Sequence, residues 1–227
     1  MTREINIPFT QIRIGRFIFL LISITLTLSL KPFIEGFIGI GNLLMDIFAT
    51  IVLISGVYVA SQKKHFFYIG MIIAFPALAV HWLRYFVEVP SLFIVGQVFS
   101  AMFFTFLVVL ILIYLCKKEK INADVIAGAI CGYLLIGLMW ASFYSVLEAL
   151  QPGSFQVPDH FSTDSSYFTY YSYVTLTTLG FGDIIPMTSQ ARSLSVLESV
   201  AGPVYLAVLV ARLVGMGISQ SMRKESP

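Results

Sequence analysis

The sequence predicts an all-α membrane protein: six transmembrane helices with one re-entrant segment between helices 5 and 6. Three observations carry that expectation. Of the 227 residues, 58% are hydrophobic and 11% are charged, with a mean hydropathy of +0.88. A soluble domain carries about 25% charged residues, and this much apolar surface cannot be enclosed in one water-soluble core. The apolar residues fall into six runs, each near the roughly 20 residues that span a bilayer. The basic clusters alternate with those runs so that all of them lie on one side.

The runs cover residues 14–30, 37–60, 66–86, 92–116, 125–147 and 191–216. Arg3, Arg13 and Arg16 precede or open the first. A cleaved secretory signal is the alternative reading there, but Ser29-Leu30-Lys31-Pro32 lacks the small-x-small pattern that cleavage requires, so a retained helix is expected. Lys63 and Lys64 separate runs two and three, Lys117, Lys118 and Lys120 separate four and five, and Arg223 and Lys224 follow the last. The opposite side holds Lys31, Glu35, Glu88, Asp159 and Asp164. The positive-inside rule then puts both termini in the cytoplasm of a multi-pass cell-membrane protein.

Other classes fit poorly. The net charge of +2 comes from scattered short clusters, which is no footprint for nucleic acid. Cys116 and Cys131 lie in or beside apolar runs, and three histidines have no metal-ligand spacing, so neither a disulfide framework nor a zinc site is expected. No nucleophile–base or paired-carboxylate set converges, so the chain is not expected to be an enzyme or to need a cofactor.

Ionisable residues at membrane depth are costly and are read one by one. Asp46 in the second run and His81 and Arg84 in the third fall at similar depth, which suggests an Asp46–Arg84 pair. Its role is either a structural clamp between outer helices or a gating or sensing function. Pro76 interrupts the third helix's hydrogen-bond ladder. The fourth run has no Arg or Lys between residues 92 and 115, so no charge ladder can sense voltage, and opening is expected to depend on voltage weakly.

The chain divides into a four-helix region, residues 1–120, and a two-helix region with the re-entrant loop, residues 121–227. The loop changes composition twice. Residues 151–166 are polar and rich in Pro, Gly, Ser and Asp, and Thr163, Asp164 or Ser165 can cap a helix start. A short aromatic helix is expected over about 165–177, too short to cross a bilayer. Thr178-Leu179-Gly180-Phe181-Gly182-Asp183 follows. Irregular backbone is tolerated at membrane depth only when buried in protein or lining a wet cavity. Gly180 and Gly182 adopt backbone angles denied to other residues, so carbonyls from Thr178 to Phe181 can turn toward one axis. A ring of such oxygens replaces the hydration shell of a monovalent cation, and several copies of the chain are needed to close it.

The stretch from Tyr170-Tyr171-Ser172 through Thr175-Leu176-Thr177-Thr178-Leu179-Gly180-Phe181-Gly182-Asp183 resembles the pore helix and selectivity filter of the tetrameric potassium channels. The resemblance covers about the last hundred residues and is to prokaryotic-type six-span channels, without their charged voltage-sensor helix. It implies that Thr178, Leu179, Gly180 and Phe181 supply the ion-coordinating oxygens (the only metal site expected), with Gly182 at the outer mouth. Tyr170, Tyr171, Thr175, Thr177 and Asp183 would support that filter. Phe181 stands where the commonest pattern has Tyr, Leu179 where it has Val, and Val174 where some members carry a Glu that pairs with the filter aspartate. Support for Asp183 must therefore come from elsewhere. The function implied is passive, potassium-selective conduction through a homotetramer in lipid, with K⁺ as the permeant ion and the inner membrane of a prokaryote as its place. The alternatives are a weakly selective monovalent cation channel or a non-conducting membrane sensor or subunit.

In the last run Gly202 and Pro203 are expected to bend the helix, and Gly215 and Gly217 to flex its end. Ser193, Ser195 and Ser199 read as helix-start or interhelical hydrogen-bonders. Glu198 reads either as a buried anchor behind the filter, toward Thr175 or Thr177, or as a cavity or gate residue. Arg212 reads as a side chain snorkelling to the inner boundary.

Overall fold

The structure, a computed structural model, describes residues 15–34, 41–61, 63–83, 86–87, 90–118, 120–158 and 167–225. The elements run α1 (Arg16–Ile34), α2 (Gly41–Ala60), α3 (Lys64–Leu83), α4 (Pro90–Lys117), α5 (Ala123–Leu150), β1 (Phe155–Gln156), α6 (Tyr167–Leu176), β2 (Ile185–Pro186) and α7 (Ser189–Glu225). By length and composition α3, α4, α5 and α7 can each cross a membrane, while α1 and α2 carry the shorter apolar stretches Arg16–Leu30 and Asp46–Ala60. The chain is a multi-span, all-α membrane protein.

Helix α5 is the hub, touching α1, α4, α6 and α7. Its small residues make this possible, because close backbone approach is how helices associate without water to drive them together. A Cβ at Gly128 would meet the Phe17 ring at 3.2 Å, and one at Gly132 would run into the Tyr205 hydroxyl. Phe17 is fully buried there, and the Cys131 thiol donates to its carbonyl at 3.3 Å. Tyr205 donates to the Ala129 carbonyl at 2.6 Å and so docks α7. Phe103, Leu107 and Ile111 of α4 complete the core from the other side.

The start of α5 is well specified. Asn122 caps it, its side-chain oxygen accepting from the Val125 amide at 2.9 Å, and Asp124 sits in the first turn where the helix dipole favours an anion. Asp124 also accepts from the Phe17 amide and the Tyr114 hydroxyl, each at 3.4 Å, which ties α1 and α4 to this corner.

Arg212 does more than snorkel. Its Nε donates to the Leu115 carbonyl at 2.9 Å, and Nη2 donates to the carbonyls of Cys116 and, at 3.3 Å, Lys118. The last carbonyls of any helix lack intrahelical partners and carry the negative end of its dipole. An α7 guanidinium therefore caps α4, while Gln220 accepts from the Ile121 amide at 3.2 Å. Arg212→Ala is expected to cost about 1–3 kcal/mol in thermal stability measured in detergent. Arg212→Lys should recover only part of it, because an ammonium cannot reproduce the fork.

Several boundaries differ from the sequence reading. Helix α1 continues through Pro32 to Ile34, α4 begins at Pro90, and α7 extends over 37 residues. At 1.5 Å per residue α7 is about 55 Å long, well beyond the roughly 30 Å hydrocarbon layer. Pro76 and Pro203 both lie inside continuous helices. Arg84 lies outside the described residues, so the Asp46–Arg84 pairing is not addressed. Asp46 is buried, and its Oδ1 is 2.6 Å from Nε2 of His81. Thr50, one turn on, accepts from the Trp82 indole at 3.1 Å, so α2 and α3 share a polar seam.

Candidate functional site

The site is built where α5 ends, α6 begins, and the chain returns to α7. After α5, Glu148 accepts from the amides of Gly153 at 2.7 Å and Phe155 at 3.0 Å, turning the chain sharply. Phe155–Gln156 then pairs antiparallel with Ile185–Pro186, a short ribbon that the sequence reading did not contain. The Ser154 carbonyl accepts from Met187 at 2.8 Å, so both ends of the loop are fastened together. Thr163, Asp164 and Ser165 fall outside the described residues.

Helix α6 is aromatic because it is wedged between two long helices. Phe168 and Tyr171 pack against Tyr144 and Phe155, with ring centroids 5.0 to 6.2 Å apart. The Tyr173 hydroxyl donates to the Leu134 carbonyl at 2.7 Å, and its ring occupies the space that a Cβ at Gly137 would need. Tyr171 shares a 2.6 Å hydrogen bond with Ser195 of α7.

The segment after α6 follows from how that helix is capped. Its last four carbonyls would be unsatisfied in an isolated helix. The Tyr173 carbonyl accepts from Thr177, the Val174 carbonyl from Leu179 and Gly180, the Thr175 carbonyl from Thr178, and the Leu176 carbonyl from the Tyr133 hydroxyl. The amides of residues 177–180 are thus folded back onto the helix end. Thr178, Gly180 and Gly182 have φ of 60°, 56° and 76°, alternating with Leu179 and Phe181, which are not among the positive-φ residues. Thr178 is the one non-glycine residue with positive φ among the described residues, a conformation that costs roughly 1–2 kcal/mol.

Among the described residues no hydrogen bond ends on a carbonyl oxygen of Thr178, Leu179, Gly180, Phe181 or Gly182. Such a run of free oxygens, at the negative end of a helix dipole, suits a monovalent cation. Leu179 and Phe181 are 61% and 65% exposed in the single chain.

Asp183 stabilises the far end of this segment. Its Oδ2 accepts from the Tyr170 hydroxyl at 2.5 Å and its Oδ1 from the Ile184 amide at 2.9 Å. Tyr170 thereby provides the support that Val174 cannot. Thr175 and Thr177 sit at the α6 terminus, where the Thr177 hydroxyl donates to the Tyr173 carbonyl at 2.6 Å.

Glu198 is fully buried behind α6, but its partners are not Thr175 or Thr177. They are the hydroxyls of Ser172 and Tyr144, each at 2.5 Å. The sequence reading missed Ser172 and Tyr144 because a hydroxyl in an apolar helix signals nothing until its neighbour is known. Gly137 carried the available signal, since a glycine inside a spanning helix marks a close approach. Gly202 lies against the Leu176 carbonyl, where an added Cβ would overlap the oxygen, so it serves close packing as well as any bend at Pro203.

Residues 130–218, from the second turn of α5 through most of α7, match the family described as Ion channel. No curated protein and no solved structure matches the chain. The match covers less than half of the chain, and it makes that stretch, which holds two of the four helices long and apolar enough to cross a membrane, similar to ion channels.

Proposed function

We propose that the chain is one subunit of a homotetrameric, potassium-selective channel, with α6 as the pore helix and Thr178, Leu179, Gly180, Phe181 and Gly182 as the filter. The observation that carries this reading is the alternating left-handed backbone at Thr178, Gly180 and Gly182, with its carbonyls accepting no hydrogen bond from the described residues. Conduction is then passive: each carbonyl ring substitutes for part of the hydration shell of K⁺ and hands the ion on.

Assembly follows from the same geometry. One chain supplies one segment, and rotational symmetry closes the ring. The exposed Leu179 and Phe181 side chains, and the exposed Val196, Val200, Val204 and Val208 on α7, give a second copy apolar surface to cover. In this reading α1 and α2 complete six spans, both termini face the cytoplasm, and residues 1–120 supply a peripheral four-helix region packed on α5. Helix α4 has a single basic residue in its last turn, Lys117, which leaves no ladder for voltage to act on.

Weakly selective monovalent cation conduction is the second reading, favoured by Phe181, which lacks a hydroxyl to bond behind the filter. The deciding measurement is the reversal potential of purified protein in planar bilayers under opposed K⁺ and Na⁺ gradients. The expected value tracks the K⁺ equilibrium potential. A value near zero selects the second reading, and intact tetramers without current would make the chain a non-conducting subunit.

A further inference from the structure

We propose that Glu198 is a positioning residue that works as a neutral, proton-bearing acid, locking α6 to α5 and α7 so that the filter keeps its conducting shape. This rests on the channel reading above.

The hydrogen-bond geometry supports the neutral form. Ser172 Oγ lies 2.7 Å from the Gly137 carbonyl and 2.5 Å from Glu198 Oε1. A hydroxyl has one hydrogen, and a carbonyl oxygen can only accept. When Ser172 donates to Gly137, the proton in its contact with Oε1 is supplied by Glu198. Oε2 meanwhile accepts from the Tyr144 hydroxyl at 2.5 Å. The acid thus donates to one helix and accepts from another.

The surroundings support it too. Glu198 is 0% exposed, and among the described residues none of its hydrogen bonds or ion pairs involves Lys, Arg or His. The titratable groups around it are phenols: Tyr133 and Tyr144 from α5, Tyr171 and Tyr173 from α6. From its own helix, Ser195 is a turn away. A carboxylate with no counter-charge in such a site bears a heavy desolvation cost, which a neutral acid avoids.

The link to the filter is short. Ser172 precedes Val174 by two residues, and the Val174 carbonyl holds the amides of Leu179 and Gly180. Releasing Ser172 frees α6 to shift, and the filter amides shift with it.

Glutamine is the discriminating substitution, because it is permanently neutral, has the same reach, and offers a donating nitrogen and an accepting oxygen. Wild-type protein is measured first; loss of potassium selectivity there removes the channel reading, whereas the variants test the lock. Glu198→Gln is expected to keep the K⁺/Na⁺ permeability ratio within about twofold of wild type, while Glu198→Leu lowers it about tenfold or more, equivalent to about 1.4 kcal/mol. A glutamine variant as impaired as the leucine variant would overturn the proposal by showing that the ionised form is needed. A leucine variant with the wild-type ratio would overturn it by showing that the residue only fills space. Should the leucine variant fail to assemble, Ser172→Ala and Tyr144→Phe each remove one hydroxyl from the lock. Both are expected to lower the ratio several-fold, and an unchanged ratio in both would likewise overturn it.

Discussion

On the proposed channel function, Gly180→Ala and Gly182→Ala are each expected to abolish K⁺ current while leaving tetramers intact. Within the single chain nothing lies within 4 Å of a Cβ at either position, so the penalty inside a subunit is conformational. The backbone there is left-handed, at φ 56° and 76°, which an L-residue occupies at a cost of about 1–2 kcal/mol. In a tetramer the cost is incurred by every subunit, so the filter bears about 4–8 kcal/mol and relaxes toward right-handed backbone. Relaxation turns carbonyls off the pore axis and leaves K⁺ without its oxygens. Gly153 provides the control: φ is 83°, its surroundings are equally open, and it sits in the turn after α5. Gly153→Ala should show a similar local cost with current preserved. Flux into vesicles loaded with K⁺, read beside native mass spectra, checks all three variants. Normal current in both filter variants would remove these residues from the conduction path.

Gly202→Ala is expected to have the second large effect, and by a different physical route. Here the backbone is ordinary helix, and in isolation alanine would be preferred by about 1 kcal/mol. The space is already taken, because the added methyl would overlap the Leu176 carbonyl oxygen. That oxygen is backbone, at the end of the helix that caps into the filter, and it also receives the Tyr133 hydroxyl. It cannot rotate aside as a side chain would. Overpacking of this kind costs typically about 1–3 kcal/mol per site, with the backbone moving to absorb it. The thermal midpoint of the tetramer should fall, and K⁺ current should fall with it, since α6 is what moves. A gain in stability, as helix propensity alone predicts, would mean that α7 and α6 are further apart than the structure has them.

Much was legible in the sequence by itself. Apolar run length and a short polar–aromatic–glycine segment depend only on local composition, because a bilayer imposes its thickness on each helix separately. The short helix predicted over about 165–177 was found at Tyr167–Leu176 for that reason. The need for unusual backbone at Gly180 and Gly182 was legible too, since glycine's lack of a Cβ is a property of the residue.

Tertiary structure decided what each polar group is paired with. Depth along a helix can be counted, but rotation about its axis cannot, so Glu198 could be read as a buried anchor behind the filter or as a cavity or gate residue, but not matched to its partners Ser172 and Tyr144. The same holds for Asp183, whose support by Tyr170 spans thirteen residues and a reversal of chain direction. Arg212 resembled a snorkelling side chain until α4 was seen to end beside it. Gly202 resembled a hinge until the Leu176 carbonyl was found against it. In each case the missing quantity was the azimuth of one helix against another, which packing of many side chains sets together and no single residue encodes.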